Sequence, residues 1–244
     1  MKPELHIETH PRNAERFAGI ALQSVLIKRQ NSPTLLMLSG GSCLEILPCI
    51  KKNILGNWLT VTTLDERFTL NPTDSNFSGL MATKFYSAIT SRGCAIIDTR
   101  VNKNETLKLF EKRIRNEIIS WRKRNLNGKI IAVFGIGADG HTAGILPYPE
   151  NLKLFKKLFS EKDVSIRAYN MTKKKNPHTK RVTATLWFLK KIVDEGIIFA
   201  VGENKRSAIK SIISRNGSLA KTPARIIREM KSATIFTNLM SLRT

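Results

Sequence analysis

Apolar residues recur along this chain in two alternating rhythms, and the alternation predicts its elements. From about Asn13 to Arg29 they return at helical spacing. The run Thr34–Leu38 is almost continuously apolar and predicts a buried strand. It breaks into Ser39-Gly40-Gly41-Ser42, and a helix is expected from Cys43, shortened or kinked by Pro48. A β-branched strand over Leu59–Leu64 ends at Asp65-Glu66-Arg67 and a polar loop. A short helix is expected over Gly79–Tyr86, a strand over Cys94–Asp98, and a long amphipathic helix over Thr106–Arg124. Asn127-Gly128 stops that helix, and the strand Ile130–Phe134 follows. Further strands are predicted over Val164–Tyr169, Arg181–Thr185, Gly196–Val201 and Ala233–Thr237, with a helix over Lys205–Ser214. Strands alternating with helices imply an α/β fold, a mostly parallel sheet with helices on both faces. No repeat, low-complexity tract or linker divides the chain, so residues 1–244 are expected to form one domain.

Three strand ends carry candidate chemistry. Ile130–Pro147 runs from an apolar strand into a glycine-rich turn that delivers Asp139 and His141. Imidazole exchanges protons near neutral pH, and a neighbouring carboxylate can orient it. Gly135, Gly137 and Gly140 also satisfy the dinucleotide fingerprint, but Pro147 and Pro149 interrupt the long helix that fingerprint needs. The alternative for His141 is a tight turn with an exposed histidine. At Ser39–Ser42, paired glycines expose backbone N–H groups, and the two hydroxyls add donors. The natural guest is phosphate, and the plainer reading is an ordinary strand-to-helix turn. Asp65-Glu66-Arg67 sets charged groups at a strand's end, which belongs either to a site or to a solvated surface.

Taken in order, Ser39–Ser42, Asp65–Arg67 with Ser75-Asn76, and Gly137–Pro147 resemble the 6-phosphogluconolactonase family, itself related to the glucosamine-6-phosphate isomerase/deaminases. Arg181–Leu186 and Val201–Lys205 resemble that family's later arginine and lysine segments, so the likeness covers nearly the whole chain. It implies a Rossmann-like, doubly wound architecture and hydrolysis of a phosphorylated sugar lactone. It implies that His141 activates water, that Asp139 and Asp65 orient it or stabilise its protonated form, and that Arg67 supports the site or the oxyanion. It also implies that Ser39, Gly40, Gly41, Ser42, Arg181 and Lys205 hold the phosphate. The chain departs from the family pattern at Cys43-Leu44, usually Thr-Pro, at Ala138, usually proline, and at Gly144-Ile145-Leu146, usually Ser-Leu-Phe. The isomerase branch carries a glutamate five residues after the histidine, where this chain has Leu146. No carboxylate lies between His141 and Glu150, which favours hydrolysis over proton-shuttling isomerisation.

Composition narrows the partners. Lysine and arginine number 41 against 19 acids, a formal net charge of +22. Such a field can draw nucleic acid or steer a phosphorylated substrate. Basic residues cluster at Lys112–Arg124, Lys173–Arg181 and Lys205–Arg215, but no nucleic-acid motif or interleaved aromatic pattern accompanies them. The expected partner is a small phosphorylated sugar lactone, with no specific nucleic acid and no membrane span; a monomer is favoured. Cys43, Cys49 and Cys94 lack the spacing of a zinc cluster or a disulfide framework, and the N-terminal stretch lacks the pattern of a secretory leader. A cytoplasmic setting is expected. His6 and His10 have i,i+4 spacing but read better as part of a strand than as a metal site, and His178 reads as solvated. No metal or cofactor is called for.

Overall fold

The computed structural model describes residues 5–10, 13–171 and 178–240, without the side chains of Leu5 and His6. In chain order the elements run β1 (Leu5–Thr9), α1 (Ala14–Lys28), β2 (Thr34–Leu38), a 3-10 helix (Gly41–Cys49), β3 (Leu59–Thr63) and β4 (Asp65–Arg67). Then come α2 (Asn76–Met81), α3 (Lys84–Ser91), β5 (Ala95–Ile96), α4 (Leu107–Arg124) and β6 (Lys129–Gly135). The rest are α5 (Leu152–Phe159), β7 (Ile166–Asn170), β8 (Lys180–Ala184), α6 (Leu186–Lys191), β9 (Glu195–Phe199), α7 (Arg206–Ile213) and β10 (Ala233–Thr237).

Seven strands form one parallel sheet in the order β1-β10-β9-β6-β2-β3-β5. Strand pleating sorts the apolar side chains between two faces. Leu35, Met37, Ile130, Ala132 and Phe134 enter a core with α4, α6 and α7. Leu36, Leu38, Ile131 and Val133 enter the other, with α1, α2 and α3. Both faces are therefore covered, which explains why β2 and β6 read as unbroken apolar runs. After β2 the chain proceeds outward to β3, and after β6 it reaches β9 on the opposite side. The strand order reverses between β2 and β6, and the crevice beyond their carboxyl ends is where open α/β sheets bind ligands.

The amphipathic helix α4 buries Phe110, Ile114, Ile118 and Trp121, and Thr106 caps it through a hydrogen bond from Leu109 N. The basic run Lys112–Arg124 is thus the outer surface of a packed helix. Several expectations need correction. The segment after Ser42 is a 3-10 helix containing Pro48, because proline withholds an N–H and crowds the preceding turn. The single helix expected over Gly79–Tyr86 is two, each started by its own hydroxyl cap, Ser75 and Thr83. A second, antiparallel sheet, β4-β8-β7, was not anticipated and makes Asp65–Arg67 a paired strand. Within Lys173–Arg181, residues 173–177 lie outside the described residues.

Candidate active site

A cleft of about 420 Å³ opens at the reversal point between β2 and β6. Its lining brings together Ser39, Gly40, Gly41, Ser42, Asp65, Arg67, His141, Arg181 and Lys205, segments dispersed along the sequence. Asp139 is outside that lining and is hydrogen-bonded to His141.

One wall comes from the parallel sheet. Ser39 leaves β2 with its N–H donated to Val133 O on β6, 2.8 Å. Gly40 precedes the 3-10 helix, and Gly41 opens it. The first N–H groups of such a helix have no partner within it, so those of Gly41 and Ser42 are available to an anion. Across from them, β6 gives way to a compact turn closed by Gly137 N to His141 O, 2.8 Å, and Gly140 N to Gly137 O, 3.0 Å. Within it Asp139 Oδ1 accepts hydrogen bonds from His141 N, 3.0 Å, and from His141 Nδ1, 2.6 Å. Burial works to raise the Asp139 carboxyl, but the hydrogen bonds and charge of His141 outweigh it and hold the group at about 2. An ionised carboxylate can only accept, so the proton of the neutral imidazole sits on Nδ1 and Nε2 keeps its lone pair. Gly137 makes the pairing possible, because a Cβ there would overlap the His141 ring.

The other wall comes from the antiparallel sheet. In β4, Asp65 and Arg67 share one face and Glu66 takes the other. Register sets Arg67 opposite Arg181 and Asp65 opposite Thr183. Like charges directly opposite each other on one face repel, an arrangement that a bound anion would relieve. Asp65 Oδ2 lies 3.7 Å from Arg181 Nη1, and Asp65 Oδ1 accepts from Ser39 Oγ at 3.0 Å, joining the two walls. Arg67 Nη1 donates to Asp74 O at 2.7 Å. Ala143 and Gly144 both have positive φ, in a turn closed between Thr142 and Ile145. The hydroxyls of Thr183 and Tyr169, from β8 and β7, donate to the carbonyls of Ala143 and Gly144. At Gly144 a Cβ would stand 2.6 Å from Asp65 Oδ2, so glycine serves both the φ of +69 and the close approach.

Asp65 and Asp139 are thus separated by geometry. Asp139 bonds to His141; Asp65 holds Ser39 and Arg181. Sequence reasoning missed His178, which lines the cleft with Nε2 3.7 Å from Asp74 Oδ1. Its only sequence signal was its place three residues before Arg181. Burial, with Arg67 next in effect, pushes its imidazole pKa down, although Asp74 opposes the shift. Leu146, where the isomerase branch has its glutamate, is buried in the core. Among the described residues no group of three or more side chains is arranged to hold a metal ion, and no helix is long and apolar enough to cross a membrane. His10 stacks on Phe17, with ring centroids 3.6 Å apart.

The family model described as glucosamine-6-phosphate isomerases/6-phosphogluconolactonase matches residues 12–236. Among solved structures, a 6-phosphogluconolactonase from Shewanella baltica OS155 shares 18% identity with a TM-score of 0.74, covering 97% of each chain. The Trypanosoma brucei enzyme shares 19% at a TM-score of 0.70, over 97% of this chain and 96% of that one. The Trypanosoma cruzi enzyme shares 20% at 0.70, over 97% and 94%. At these identities the likeness is one of fold. No curated protein matches the chain by sequence.

Proposed function

The chain belongs to the glucosamine-6-phosphate isomerase/6-phosphogluconolactonase family, and from that membership and the cleft's geometry we propose that it hydrolyses 6-phospho-D-glucono-1,5-lactone to 6-phosphogluconate, a step of the oxidative pentose phosphate pathway. The observation that carries this reading is the Asp139–His141 pair at 2.6 Å beside an anion-binding turn, with apolar Leu146 where isomerisation chemistry would place a glutamate.

The roles follow from the bonding. His141 Nε2 takes a proton from water as the water oxygen adds to C1 of the lactone. The ring C1–O5 bond then breaks, and the same nitrogen returns the proton to O5. Asp139 fixes the ring and stabilises the imidazolium formed in between. Arg67 offsets the charge that develops on the carbonyl oxygen. The phosphate rests on the N–H groups after Gly40, the hydroxyls of Ser39 and Ser42, and the cations Arg181 and Lys205, with Asp65 keeping Ser39 and Arg181 in place. No cofactor enters the step. Purified protein assayed on the lactone and on glucosamine 6-phosphate tests the reading. Turnover of the lactone alone supports it; turnover of the amino sugar alone overturns it.

A further inference from the structure

Asn76 lines the cleft where its two walls meet, beside the groups assigned to the chemistry and the phosphate. It is 7% exposed, at the start of α2. Its Nδ2 donates to Asp65 O at 2.8 Å and to Asp65 Oδ2 at 3.2 Å. Both hydrogens of the amide therefore go to a single residue, which no carboxylate could do. The other end of the amide faces Gly40, where a Cβ would overlap Asn76 Oδ1. The side chain thus fills the space between the anion-binding turn and Asp65.

What holds Asn76 is Glu66, 2% exposed on the reverse face of β4. Glu66 Oε1 accepts from Asn76 N at 2.7 Å and Arg67 N at 2.8 Å. Glu66 Oε2 accepts from Phe77 N at 2.8 Å, Ser75 Oγ at 3.1 Å and Thr99 Oγ1 at 3.5 Å. Five donors from β4, the α2 start and the segment after β5 meet on one carboxyl, a degree of satisfaction that a buried carboxylate requires.

We propose that Asn76 and Glu66 are positioning residues: Asn76 sets the Asp65 carboxylate relative to the Ser39–Ser42 turn, and Glu66 sets Asn76. The proposal rests on the lactonase reading for its effect on turnover, but the Asn76–Asp65 contact can be tested apart from it. Burial pushes the Glu66 carboxyl up to about 7, against the N–H groups of Phe77, Asn76 and Arg67, so the clamp exists at a cost to stability that an ordinary surface loop would not carry.

The test is a double-mutant cycle of Asn76→Ala with Asp65→Asn, read twice: as kcat/KM for the lactone and as the unfolding equilibrium in urea. In the wild-type background Asn76→Ala is expected to lower kcat/KM about tenfold, the scale of one lost hydrogen bond to a charged group. In the Asp65→Asn background it should lower it less than twofold, because its target is already altered. Asn76→Asp, which sets a like charge against Asp65, should lose more than Asn76→Ala. The unfolding cycle should be non-additive by about threefold or more in the equilibrium constant. Equal losses of kcat/KM in both backgrounds would overturn the positioning role, even with coupled unfolding, and additive unfolding would overturn the contact. A wild-type protein that ignores the lactone would overturn the functional reading and with it the role in turnover, while the unfolding cycle still decides the contact.

Discussion

The two walls of the cleft are built in opposite ways. The parallel-sheet wall presents backbone and small residues at two glycine-bearing turns, Ser39–Ser42 and Gly137–His141, the second closed by its own backbone hydrogen bonds. The antiparallel wall presents charged side chains: register sets Arg67 opposite Arg181, and Asp65 reaches across to Ser39. The first wall depends on what is missing from its glycines. The second depends on how ions are paired. A substitution that adds atoms should damage the first, and one that removes charge should damage the second.

Gly137→Ala should sharpen that contrast most. The added methyl overlaps the His141 ring and lies 2.7 Å from Asp139 Oδ1, so the pair must separate. Misplacement of about an ångström costs on the order of a hundredfold in rate, and kcat should carry the loss with KM little changed. On the opposite wall, Arg181→Ala should raise KM for the lactone about tenfold or more, with a smaller fall in kcat. If Gly137→Ala changes KM alone, or Arg181→Ala changes kcat alone, the division between the walls fails. A third consequence lies behind the charged wall. Burial, against three backbone N–H groups, raises Glu66 from 4.5 to about 7, so the folded state holds its proton more tightly than the unfolded chain does. That contribution to stability is fully present below pH 4.5 and is lost as pH rises through about 7, by an amount on the order of 3 kcal/mol. Urea midpoints measured across this window should fall more for the wild type than for Glu66→Gln. The smallest effect concerns the excess charge. If a net +22 steers a dianionic substrate, kcat/KM should fall a few-fold between low and about 0.1 M salt, where the screening length reaches about 10 Å. A flat salt profile would remove steering from the account.

The same contrast explains what the sequence made legible. The parallel-sheet wall announces itself locally, as an apolar run, a cluster of glycines, and then Asp139 and His141. The inner strands β2, β3, β6, β9 and β10 follow the predicted runs because both their faces are buried. The antiparallel wall is not legible in this way. Nothing near Arg67 says that its strand partner is Arg181, and pairing of distant segments has no local pattern. Arg181 and Lys205 entered the site through resemblance rather than through periodicity. His178 was assigned to solvent because an isolated histidine in a basic stretch carries no local signal. Helix α5 escaped although Asn151 supplies its cap and Phe155 and Phe159 recur at helical spacing. The roles of Asp65 and Asp139 could not be ranked until distances separated them.

The central claim is that His141, oriented by Asp139, activates water against a phosphorylated lactone. The most direct test compares wild type and His141→Ala on 6-phospho-D-glucono-1,5-lactone, with spontaneous hydrolysis subtracted and folding checked by thermal melting. The account predicts that the folded variant loses between about a hundredfold and ten-thousandfold in kcat, with KM changed little. A folded His141→Ala variant that hydrolyses the lactone at the wild-type rate would contradict it.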